Sequence, residues 1–61
     1  MDIFTQFINE KRWVKTSKEE ALKIIEEEMP ETDPKSTLYY ILEEIEKGKT
    51  ITLSECKFKS Q

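Results

Sequence analysis

The stretch Thr50-Ile51-Thr52-Leu53-Ser54-Glu55-Cys56-Lys57-Phe58 places its apolar residues first at odd positions, Ile51 and Leu53, then at even ones, Cys56 and Phe58. A β-strand sends successive side chains to opposite faces, so one continuous strand would divide these four residues unless a bulge intervened. A two-residue turn at Ser54-Glu55 resolves the switch differently. Leu53 then pairs with Cys56 and Ile51 with Phe58, while Thr52 and Lys57 face outward. The hairpin is the reading adopted. The bulged strand stays open as the alternative, because Ser-Glu lacks the Gly or Asn that positive φ favours.

Upstream of this tail the chain is punctuated for helices. Asp33 is a good N-cap, Pro34 is pre-set for the first helical position, and Gly48 suits a left-handed stop. Between them Leu38, Ile41, Leu42 and Ile45 form one apolar stripe, and Lys47 and Lys49 sit at the negative end. Before that helix, Ser17 and Glu20 make a capping-box pattern. Ala21, Leu22, Ile25 and Met29 then share a face with Ile24 beside it, and Pro30 ends the run. The solvent side carries Glu26, Glu27 and Glu28 in succession.

Nearer the start, Arg12 to Thr16 is a short β-prone stretch whose Trp13 reads as a core residue. Asp2 to Lys11 reads as a first helix, capped by Asp2, with Ile3, Phe4, Phe7 and Ile8 at helical spacing. The expected fold is therefore α+β: one domain over residues 1–61, with three helices and a small antiparallel sheet or hairpin.

The segment Glu19 to Ile51 resembles the winged helix-turn-helix family. In it, Asp33-Pro34-Lys35-Ser36-Thr37-Leu38-Tyr39-Tyr40 looks like the start of a recognition helix, and Leu42 to Ile51 looks like its exit into the wing. The resemblance implies DNA contact through Lys35, Ser36, Thr37 and Tyr40, with Lys57 and Lys59 of the tail as further nucleic-acid contacts. The charges oppose it. The helix continues into Glu43, Glu44 and Glu46, which phosphates repel, and binding to random duplex is expected to be negligible.

Composition narrows function further. The chain has 61 residues, with 10 Lys and Arg against 13 Asp and Glu, a formal charge of -3 that disfavours wholesale gripping of polyanions. Histidine is absent, which removes triads, histidine metal ligands and the usual neutral-pH base. A single cysteine, Cys56, closes no internal disulfide and has no base partner to make it a nucleophile. One glycine builds no phosphate loop. No enzyme activity, metal or cofactor is expected. No run of apolar residues approaches the ~18 that a membrane helix needs, and no secretory signal opens the chain. The expected address is cytoplasmic.

Charge is distributed unevenly. Lys11, Arg12, Lys15 and Lys18 cluster with no intervening acid, and Lys47, Lys49, Lys57 and Lys59 would join them in one basic patch beside Trp13 if residues 12–16 pair with the tail's sheet. Glu26, Glu27, Glu28, Glu31, Asp33, Glu43, Glu44 and Glu46 would form an acidic helical side. Tyr39 and Tyr40 point ~100° apart on a helix, so the two cannot share the buried stripe, and Tyr40 is the one expected at the surface. These features suggest a small regulatory protein that binds another protein, such as an inhibitor, an adaptor or an anti-defence factor. Tyr40, Glu43, Glu44 and Glu27 are its expected interface, and a homodimer is a further option. The wealth of Lys, Glu and Ile suits an AT-rich bacterial or phage genome. The alternative is a winged-helix transcription regulator.

Overall fold

The residues Ile3-Phe4-Thr5-Gln6-Phe7 are β-branched or aromatic at four of five positions, poor material for a helix and good material for a pleated surface. In the computed structural model, which describes residues 2–60, they form strand β1 (Ile3–Phe7). It is followed by β2 (Val14–Thr16), helices α1 (Lys18–Glu28) and α2 (Pro34–Glu46), and strands β3 (Ile51–Leu53) and β4 (Cys56–Ser60). The expected first helix is thus a strand. The three-helix, winged-helix-like order gives way to two helices and a four-stranded antiparallel sheet.

The cause of the difference is Thr5. Counted as polar, it breaks the alternation Ile3, Thr5, Phe7 and leaves the helical spacing as the visible pattern. In the fold Thr5 is buried, because its hydroxyl meets that of Thr16 at 2.8 Å. Ile8, which a helical stripe would have buried, is 74% exposed.

The sheet order is β2-β1-β4-β3, so the first and last strands lie side by side in the middle. Ile3 faces Ser60, Thr5 faces Phe58, and Phe7 faces Cys56. The β3–β4 hairpin has the expected register: Ile51 opposite Phe58, Thr52 opposite Lys57, Leu53 opposite Cys56. Its turn is pinned from two sides. Ile8 N donates to the Glu55 carbonyl at 2.8 Å, and Glu55 N donates to Glu28 Oε1 at 3.2 Å.

Both helices keep their sequence-predicted starts. Ser17 and Glu20 form a reciprocal capping box, and Asp33 caps α2 ahead of Pro34. Gly48, at φ +92°, follows α2 where a left-handed residue is needed. The helices cover one face of the sheet: Ala21, Ile25, Ile41 and Ile45 meet Ile3, Cys56 and Phe58 in the core. Phe7, Ile24, Leu38, Leu42, Ile51 and Leu53 pack around it. Trp13 lies outside this cluster, against expectation. The other sheet face is uncovered.

Candidate interaction surfaces

Two surfaces follow from this one-sided layering. The first is a groove of about 400 Å³ between the helices. Leu22 of α1 and Leu38 and Leu42 of α2 line it with apolar surface, and Lys18, Glu19, Lys35 and Tyr39 complete its wall. On α2 the positions 35, 38, 39 and 42 follow the three-and-four spacing of one helix side. The three leucines are only half-buried, since the two helices direct Ala21, Ile25, Ile41 and Ile45 at the sheet.

Tyr39 is 71% exposed on the wall of this groove. Tyr40 is also exposed, at 56%, but does not line it. The expectation that Tyr40 alone is the surface tyrosine is thus corrected: both are exposed, Tyr39 the more so, and Tyr39 is the one that joins the leucines. No local signal marks this, because the groove forms only where Leu22 of α1 meets α2.

The remaining expected interface residues do not gather into one anchor site. Glu43 and Glu27 are exposed. Glu44 is committed within its own helix end, accepting from Lys47 Nζ and from Lys49 Nζ, each at 3.2 Å. The Lys49 and Lys47 ammonium groups hold its carboxyl below the ordinary carboxylate range.

The residues suggested for DNA contact divide between two sides of the molecule. Lys35 belongs to the helical groove. Ser36 Oγ donates to Asp33 Oδ2 at 2.9 Å, and Thr37 Oγ1 donates to Thr32 Oγ1 at 3.4 Å, so both hydroxyls serve the helix start. Lys57 and Lys59 stand on the open side of the sheet, away from both helices.

That open face is the second surface. Strand alternation puts Phe4 and Gln6 of β1, Lys15 of β2, Thr52 of β3, and Lys57 and Lys59 of β4 on it. Trp13, just ahead of β2, reaches the same face, where Lys59 Nζ lies 4.4 Å from its ring centroid. Of the basic residues expected to gather here, only Lys15, Lys57 and Lys59 do so, bridged by β1 rather than by a direct β2–β4 pairing. Lys18 instead lines the helical groove, and Lys47 and Lys49 pair with Glu44. Lys15 Nζ reaches Asp2 Oδ1 at 3.8 Å at the margin.

Other chemistry is sparse. Cys56 is fully buried in the core, and desolvation, followed by the charge of Glu28, pushes its thiol up to about 11. No group of three or more side chains able to hold a metal ion comes together among the described residues. No helix among them is long and apolar enough to cross a membrane. Compared with family models, curated proteins and solved structures, the chain matches none of them.

Proposed function

We propose that this chain is a small non-enzymatic regulatory protein that acts by binding another protein, as an inhibitor, an adaptor or an anti-defence factor. The observation carrying this reading is Tyr39, 71% exposed beside a groove whose apolar wall is Leu22, Leu38 and Leu42. An aromatic next to an apolar cleft, ringed by Lys18, Glu19 and Lys35, has the make-up of an interface anchor with a charged rim. An apolar side chain presented by the partner would fill the cleft. The carboxylates of α1 and α2 would then govern encounter rate and partner choice. A reducing cytoplasm suits the unpaired Cys56.

The test is a pull-down followed by calorimetry of the recovered partner against Tyr39→Ala and Tyr40→Ala. Tyr39→Ala is expected to cost about 2 kcal/mol of binding, the hot-spot scale, and Tyr40→Ala much less. Equal, wild-type affinity for both variants would place the interface elsewhere. Sedimentation equilibrium of the two variants covers the case in which the partner is a second copy.

A further inference from the structure

We propose that the open face of the sheet is a platform for single-stranded nucleic acid, separate from the helical groove. Its side chains fall in cross-strand rows. Lys15, Phe4 and Lys59 stand abreast across β2, β1 and β4, which sets an aromatic ring between two ammonium-bearing neighbours. Gln6 and Lys57 form the next row, and Trp13 flanks both with Lys59 Nζ 4.4 Å from its ring centroid. Adjacent strands are ~4.8 Å apart, so the three strands present aromatic and basic groups within about 10 Å of one another.

The combination selects among anions. An acidic protein would use the lysines and leave Phe4 and Trp13 without a role. A duplex would offer phosphates but hide its base faces in the stack. A single strand supplies both at once: bases to lie on the aromatic rings and phosphates to bridge the lysines between them. The net charge of -3 does not oppose this, because α1 and α2, which carry the acidic run, pack on the opposite face of the sheet, against Ile3, Cys56 and Phe58. Asp2 offsets part of Lys15's charge, while Lys57 and Lys59 make no ion pair among the described residues. Lys59 sits over one face of the indole and would move to a phosphate as a base takes its place.

Trp13 is the single tryptophan, so its emission reports the site directly. Short oligothymidylate and oligouridylate are titrated at low salt, with a duplex of the same length and heparin as controls. Binding by either single strand with quenching of Trp13 is the expected result, the thymidylate and uridylate arms telling DNA from RNA. The logarithm of affinity should fall with that of salt at a slope near -2, from about three phosphates at ~0.7 each. Lys57→Glu with Lys59→Glu should weaken binding at least about tenfold, and Phe4→Leu about tenfold, with Phe4→Tyr restoring it. Circular dichroism establishes that each variant is folded, and Tyr39→Ala should bind the strand as wild type does.

Absence of quenching by both single strands would overturn the proposal. So would duplex or heparin binding as tightly as single strands, or wild-type affinity in both Phe4→Leu and Trp13→Leu by fluorescence anisotropy. Low-salt self-association abolished by the double lysine reversal, with no strand bound, would show that the face docks the acidic helices of a second copy instead.

Discussion

The hydroxyls of Thr5 and Thr16 meet at 2.8 Å on the helix-covered side of the sheet, tying β1 to the edge strand β2. Thr16 Oγ1 also donates to the Val14 carbonyl at 3.0 Å, so the Thr5 hydroxyl is the donor between the two. Both residues are buried, Thr5 to 4% exposure and Thr16 to 8%.

This direction of donation makes the two threonines unequal. Thr5→Val leaves Thr16 its bond to Val14 and should cost less than about 1 kcal/mol. Thr16→Val strands a buried hydroxyl on Thr5 and should cost about 1–3 kcal/mol. The double variant should be more stable than Thr16→Val alone. Urea denaturation in a double-mutant cycle checks all three values, and equal single costs would contradict the assigned direction.

The hairpin turn gives a second test. Ser54 has φ +54° and is the one non-glycine residue with positive φ among those described. Positive φ at only the first of two central positions is the sign pattern of a type II′ turn, which favours Gly there. Ser54→Gly should stabilise the protein by about 0.5 kcal/mol, the relief of strain exceeding the added chain entropy. Ser54→Val should destabilise it by about 1 kcal/mol or more, since a branched side chain tolerates this region poorly. Thermal denaturation should rank the three Gly, Ser, Val.

How much of this was legible beforehand depends on whether local pattern and tertiary partner agree. Around α1 and α2 they agree. Ser17 with Glu20, and Asp33 with Pro34, satisfy helix termini through residues a few positions apart, and the structure has those caps. The Ile51–Phe58 pairing was legible for the same reason, because the parity switch at Ser54-Glu55 is a local feature with one simple solution. β1 was not legible, because its alternation depends on Thr5 being apolar in effect, and that effect comes from Thr16, eleven residues away.

The surfaces follow the same rule. Tyr40's exposure could be read from its angle to the Leu38, Ile41, Leu42 and Ile45 stripe. Tyr39's role could not, since the groove exists only once Leu22 of α1 is set against α2. Likewise Phe4 reads as core only if β1 is taken as a helix. It reaches the open face because a strand, unlike a helix, turns it away from Ile3 and Thr5.

Glu44 provides a prediction in pH. Its carboxyl is held below the ordinary range first by Lys49 and then by Lys47. A depressed folded value means that the pair's contribution is complete above the unfolded carboxylate pKa and is lost as pH falls through the lowered folded one. Lys49→Ala should therefore raise the Glu44 titration midpoint more than Lys47→Ala, followed by side-chain carboxyl chemical shifts. Raising the salt should diminish both differences, because the ammonium groups are solvent-exposed.

Cys56 should be chemically silent while the protein is folded. It is fully buried between the helices and β4's neighbours, and burial together with the charge of Glu28 raises its thiol to about 11. At pH 8 almost no thiolate would be present even if reagent could reach it, and the thiolate is the reactive form. Unfolding removes both protections at once, exposing the sulfur and returning its pKa to the ordinary thiol range. Iodoacetamide labelling at pH 8 should therefore proceed at a rate set by opening of the core, rising with urea in step with the unfolding transition. Phe58→Ala, which removes a fully buried ring from the central strand β4 and should cost about 3–5 kcal/mol, should accelerate labelling at least a hundredfold. Glu28→Gln, by contrast, removes only the second cause of the shift and should leave the labelling rate of the folded protein almost unchanged. Rapid labelling of the native wild-type chain would show that the β4 sulfur is open to solvent without unfolding.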